Sequence, residues 1–191
     1  MRLVKSQAEL ELIRQAAAIS VEAHNYAQEI ASPGRYEYEI QAEMERIFRL
    51  RGGTGVAYPS IVASGENACI LHYIENTRQM QDGDLLLIDA ACAYGYYNAD
   101  ITRTFPVNGK FTGEQKTLYD IVLEAQKQAI AEIKPGNPYN AFHDTAVRVL
   151  TEGLVELGIL QGQIDDLIKE EKYKPFYMHR TGHWLGLDVH D

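Results

Sequence analysis

One arrangement occurs twice along this chain: a capped helix, a Pro-Gly stop and a second helix with one apolar face. Ser6-Gln-Ala-Glu9 and Thr112-Gly-Glu-Gln115 are capping boxes, in which the hydroxyl and the residue three places on each satisfy a free backbone N–H. Behind the first, Leu12, Ala16, Ile19, Ala23, Tyr26 and Ile30 recur at steps of three and four, the stripe of a long helix. Ser32-Pro33-Gly34 stops it. A second helix follows with Ile40, Met44, Ile47 and Phe48 inward, ended by Gly52-Gly53. In the second half, Leu118, Val122, Ala125 and Ala129 mark a helix stopped by Pro135-Gly136. Phe142, Ala146, Val149 and Leu157 mark another, ended by Gly158. The first half continues into predicted strands at Tyr58–Ser64, Cys69–Ile74, Leu85–Ile88 and Asp100–Phe105. The second reaches only an extended stretch, Phe176–Asp191. By this internal comparison the chain is expected to lack its last strands, which predicts an unpaired sheet edge.

Composition narrows the function. At 191 residues the chain is one domain or two small ones. Its 27 acidic and 18 basic side chains give a formal charge of −9, which argues against a nucleic-acid or anionic-membrane surface. Residues 1–30 show no basic-then-apolar leader, and no apolar run nears the roughly 18 residues of a membrane helix. Cys69 and Cys92 are too few for a disulfide scaffold and form no zinc motif. Both are expected in strands as core residues, and a reducing cytoplasm is the expected compartment.

The chemistry gathers around two aspartates. Asp89 closes the apolar run Leu85-Leu86-Leu87-Ile88, and Asp100 opens the next strand. A hairpin turning at Tyr94-Gly95 sets them directly opposite on one sheet face, with Cβ atoms about 4.5–5.5 Å apart. Carboxylates that close repel, and a divalent cation or a shared proton relieves the conflict. A pair of solvated turn aspartates is the bland alternative. His72, His179, His183 and His190 fall in extended segments, three of them in the last 13 residues. Pro175, Gly182 and Gly186 argue against a helical zinc site at His179 and His183. Each histidine alone reads as a surface or satisfied residue; the cluster with the aspartates predicts a metal site. His24 and His143, on helices, read as structural or solvent-facing. Gly65-Glu66-Asn67 is a turn and not a phosphate loop, and no G-x-S-x-G elbow is present.

Four stretches resemble a known family: Ser64–Tyr73 (SGENACILHY), Leu87-Ile-Asp89-Ala, Asp100–Thr112 (DITRTFPVNGKFT) and His179–Asp191 (HRTGHWLGLDVHD). In order and spacing they look like the Xaa-Pro aminopeptidase catalytic domain, over essentially the whole chain; the prolidases, Xaa-Pro dipeptidases, have close motifs. The resemblance implies the pita-bread fold, α+β with a curved antiparallel sheet, paired helices and approximate internal twofold symmetry. Residues 1–191 would be an incomplete catalytic domain, without its C-terminal strands or the family's N-terminal domain. It implies two divalent metals, commonly manganese, with Asp89 on one, Asp100 bridging both and His183 on the other. Two further glutamate ligands, one of them the general base, are expected beyond residue 191. His72 and His190 match histidines that contact substrate and support the transition state. His179 matches one near the site for the proline side, and Tyr58 a pocket tyrosine. The implied reaction releases the N-terminal residue from peptides with proline second, through a hydroxide held between the metals. The expected partner is such a peptide, with no nucleic acid or membrane and with a homo-oligomer left open. This chain by itself is expected to hold a single partly occupied metal or none, and to be inactive. A non-catalytic binding module on the same scaffold is the alternative, against which the presence of Asp89, Asp100 and His183 argues.

Overall fold

The structure is a computed structural model and describes residues 2–191. Two compact units divide the chain: Met1–Phe111 with Trp184–Asp191, and Thr112–His183.

In the first unit, α1 (Gln7–Ile30) begins at the predicted capping box. Ser6 Oγ accepts from the Glu9 N–H at 3.4 Å, and the Glu9 carboxylate accepts from the Ser6 N–H at 2.7 Å. Its inward face is Ala16, Ile19, Ala23 and Ala27, small enough for close packing on α2 (Glu37–Leu50), which contributes Ile40, Met44, Ile47 and Phe48. The strands β1 (Gly55–Val56), β2 (Ile61–Ser64), β3 (Leu85–Asp89), β4 (Cys92–Tyr94), β5 (Tyr97–Asn98) and β6 (Thr102–Pro106) form two antiparallel sheets, ordered β1-β4-β5 and β2-β3-β6. Leu86 and Ile88 of β3 are fully buried beside Val62, Met80, Phe105 and Val107. Leu85, Leu87 and Asp89 alternate onto the opposite, half-buried face, so the apolar run is not buried throughout.

One strand expectation and one turn expectation fail in this unit. Gly65–Cys69 is a 3-10 turn, and the chain continues through further turns where a strand was expected. Ile70, Leu71 and Ile74 there are more than half exposed, and Cys69 is exposed instead of sitting in the core. Cys92 is buried as expected. The β4–β5 hairpin turns at Gly95-Tyr96, one residue later than the expected turn, and pairs Tyr94 with Tyr97. Gly95 (φ +56°) and Tyr96 (φ +70°) supply the two left-handed residues that a type I′ turn needs. The register shifts accordingly: Asp89 lies opposite Thr102, not Asp100.

The second unit holds α3 (Gly113–Ala131), α4 (Ala141–Glu156) and α5 (Ile164–Lys169). Thr112 Oγ1 accepts from the Gln115 N–H at 3.2 Å, completing the second predicted box with the Thr112 N–H on Gln115 Oε1 at 3.0 Å. A side chain at Gly153 of α4 would meet Ile121 Cγ2 at 2.5 Å, so the glycine lets α3 and α4 approach closely. Ala125 and Ala129 are buried on α3, whereas Leu118 and Val122, expected inward, are about half exposed. Residues 176–191 are turns and irregular backbone, with no strand among the described residues. No helix among them is long and apolar enough to cross a membrane.

Candidate metal centre

Asp89 and Asp100 lie on the same side of the chain despite the shifted register. Asp89 is opposite Thr102, so Asp100, two residues before Thr102, is its diagonal neighbour, still on that face. One hydroxyl joins them. Tyr58, in the segment between β1 and β2, stands 2.6 Å from Asp89 Oδ1 and 3.0 Å from Asp100 Oδ1, and its oxygen accepts from the Ile101 N–H at 3.4 Å. A phenol has one proton to share between two carboxylates, so their mutual repulsion is only partly relieved. Burial pushes the Asp89 carboxyl above the usual carboxylate range; the Tyr58 bond opposes this, and the Asp100 charge adds to it. Burial, and then the Asp89 charge, drive the Tyr58 hydroxyl far above its ordinary value, so it stays a donor.

The backbone that carries the pair is clamped by two polar residues of α1, four apart and buried among alanines. His24 Nε2 donates to the Ala90 carbonyl at 2.9 Å, and Ser20 Oγ accepts from the Cys92 N–H at 2.9 Å. These bonds hold the link between β3 and β4 just after Asp89. Burial lowers the His24 imidazole below the ordinary histidine range, and its Nδ1 has no hydrogen-bond partner among the described residues. His24 is thus structural, one of the two roles expected for it, whereas Ser20 is not among the residues the sequence analysis singles out. Their signal was present: two polar residues at i and i+4 inside an apolar stripe.

The remaining predicted residues lie on other segments of the chain. His72 is exposed in the turns after the 3-10 segment, at φ +55°. His190 lies in the 184–191 segment, which Asn98 of β5 fastens: the Asn98 N–H donates to Gly186 O at 2.9 Å and its Nδ2 to Leu187 O at 2.8 Å. In the second unit, the His179 ring meets Tyr177 edge-on at 4.9 Å, and Tyr177 and the buried His143 both bond Thr181 Oγ1, at 2.6 and 2.8 Å. His183 closes that unit and is exposed. Among the described residues no three His, Cys, Asp or Glu side chains form a group that could hold a metal. The carboxylate pair is therefore a partial donor set, of hard oxygens that suit a divalent cation.

The pattern of metallopeptidase family M24 matches residues 11–191. The chain belongs to this family. Among curated M24 relatives, it is 51% identical to the Xaa-Pro aminopeptidase of Haemophilus influenzae and 49% identical to that of Escherichia coli, in each case over all of this chain. It spans 44% and 43% of those proteins, less than half their length. Among solved structures, Pseudomonas aeruginosa aminopeptidase PepP matches with a TM-score of 0.98 at 55% identity, and zinc-substituted E. coli aminopeptidase P in complex with product matches with 0.98 at 49%. Each covers the whole chain and 43% of the other protein. The α+β pita-bread architecture expected from the sequence is thus the one this M24 chain shares, with helices and antiparallel sheets as described above.

Proposed function

We propose that this chain is the front portion of a catalytic domain that removes the N-terminal residue from peptides with proline in second place. The observation that carries the reading is the convergence of Asp89 and Asp100 on one tyrosine hydroxyl, in a chain of the M24 metallopeptidases. Two hard, partly buried carboxylates held that close fit a divalent cation, and manganese suits oxygen ligands of this kind. In this reading Asp89, Asp100 and His183 would hold the divalent metal from this chain. When bound, such ions polarise a carbonyl and lower the pKa of water. Tyr58 keeps the two carboxylates together and borders the substrate pocket. His72 and His190 face the scissile bond and move protons at the tetrahedral centre. His179 stands by the proline side. Proline lacks an N–H, so a site built for it needs no acceptor there, unlike one for ordinary peptide bonds.

Hydrolysis of an Xaa-Pro tripeptide, with an Xaa-Pro dipeptide as the prolidase arm, tests this in the presence of manganese. The 191-residue chain is compared with a longer chain carrying the two further glutamates that the resemblance implies. The longer chain is expected to cleave the tripeptide. The shorter one should be slower by at least the 10²–10⁴-fold that loss of a general base costs, to an order of magnitude. Equal turnover by both would overturn the ligand assignment. No turnover by either would favour a binding module on the same scaffold.

A further inference from the structure

Glu37, the first residue of α2, is completely buried, and its side chain has no part in the carboxylate pair. Its two oxygens receive five donors. Oε1 accepts from the Ser64 N–H and Ser64 Oγ, both at 2.7 Å, and from Asn67 Nδ2 at 3.3 Å. Oε2 accepts from the Tyr73 hydroxyl at 2.8 Å and from the Arg78 N–H at 2.9 Å. The Glu37 N–H returns a bond to Arg78 O at 3.0 Å. Beyond this shell, Arg78 donates to Ser64 Oγ at 2.8 Å and pairs with Asp84. The partners lie at the two ends and in the middle of one stretch, residues 64–78. Between them the chain is exposed from Cys69 to Glu75 except for Tyr73, and it carries His72 in a left-handed conformation. Exposed segments of turns have few packing contacts to define them, so their shape depends on such anchors.

We infer that Glu37 is a positioning residue, whose buried carboxylate fixes the 64–78 stretch in the shape that presents His72. The inference rests on the reading of His72 as a substrate-facing group. The chemistry of the shell makes it specific to a carboxylate. Each oxygen faces one backbone N–H, that of Ser64 or that of Arg78, and neither can reverse its direction. An amide has one acceptor oxygen and one donor nitrogen, so in either orientation its NH2 confronts a fixed N–H. Glutamine, though nearly the same shape, cannot satisfy the shell, whereas a merely space-filling residue would tolerate it.

NMR on the 191-residue chain tests this with Glu37→Gln and, should that variant fold poorly, Tyr73→Phe, which removes one donor and leaves both backbone N–H bonds. In Glu37→Gln the Ser64 or Arg78 amide should exchange about tenfold to a hundredfold faster, the loss expected for a hydrogen bond to a charged group. The backbone carbon shifts of His72 should move away from left-handed values. Exchange at the Cys92 amide, held by Ser20, should stay as in the wild type. In Tyr73→Phe the His72 shifts should move while Arg78 stays protected. Unchanged His72 shifts in either folded variant would overturn the inference. A separate arm adds an Xaa-Pro tripeptide, with diamagnetic zinc in place of manganese, to the longer chain that carries the two further glutamates. A His72 ring signal that follows the peptide supports the substrate reading; one that ignores it would sink that reading while leaving the anchor measured by exchange intact.

Discussion

In the longer chain that carries the two further glutamates, Asp89→Asn and Asp100→Asn, made one at a time, are expected to weaken manganese binding by at least about 100-fold, more than loss of a supporting contact costs. Neither should unfold the chain. Asparagine keeps a carbonyl oxygen for the Tyr58 hydroxyl and removes one of two like charges that share it. The metal-free Asp89→Asn variant should melt higher than the wild type at neutral pH. The sign follows from burial, which raises the Asp89 pKa on folding. Between the unfolded value, near 3.9, and the higher folded one, the native chain binds more protons, so stability falls as pH rises through that window. Ionised Asp89 thus costs stability at neutral pH. The wild type should recover that loss on acidification, and Asp89→Asn should show none of this component. Calorimetric titration with manganese, and melting curves in chelator from pH 4 to 7, check both halves. An Asp89→Asn variant that melts lower at pH 7 would show that the pair is not under electrostatic stress. A site that gives up stability in its metal-free state for binding is a common trade.

Gly53→Ala is expected to cost about 3 kcal/mol, the upper end for overpacking, which in a chain of this size lowers the melting temperature by roughly 6–12 °C. Gly53 follows α2 and is buried, and its N–H bonds the Phe48 carbonyl at 2.9 Å. A Cβ there would lie 2.3 Å from Cys92 Sγ and 2.7 Å from Phe48 O. The sulfur is at the end of a short buried side chain, and the oxygen belongs to the helix backbone, so neither yields without moving its element. Adding Cys92→Ala should restore part of the loss by removing the sulfur, and not all of it, because the carbonyl contact remains. A double-mutant cycle measures that coupling. Full additivity of the two changes would refute the contact with Cys92.

What the sequence disclosed and what it hid divide along a physical line. Signals carried by neighbours in sequence were legible. Both capping boxes start helices where Ser6 and Thr112 announced them, and β3 falls on its apolar run. The pairing of Asp89 with Asp100 on one face was legible because hairpin geometry preserves side under a shift of two. The register itself was not, because the turn was placed by the preference for glycine in its second position. Here Gly95 comes first, and Tyr96 adopts the unfavourable left-handed conformation. Helix faces were misjudged where small residues make the contact: Ala125 and Ala129, not Leu118 and Val122, are buried on α3. Buried polar groups were the least visible. Glu37 has the ordinary profile of an acidic residue in a first helical turn, and only the distant Ser64, Tyr73 and Arg78 explain its burial.

The hairpin between the two aspartates has a kinetic consequence. Only residues 90–99 separate Asp89 from Asp100, so bringing the carboxylates together closes a short loop, and closure entropy rises with loop length. The α1 clamp spans far more chain: 66 residues from His24 to Ala90 and 72 from Ser20 to Cys92. Contacts of long sequence separation slow folding. The expected order is local first: the hairpin forms and brings the acidic groups together, and the helix docks afterwards to lock the spacing. Substitutions at Ser20 or His24 should then appear mainly as faster unfolding, with the refolding rate little changed.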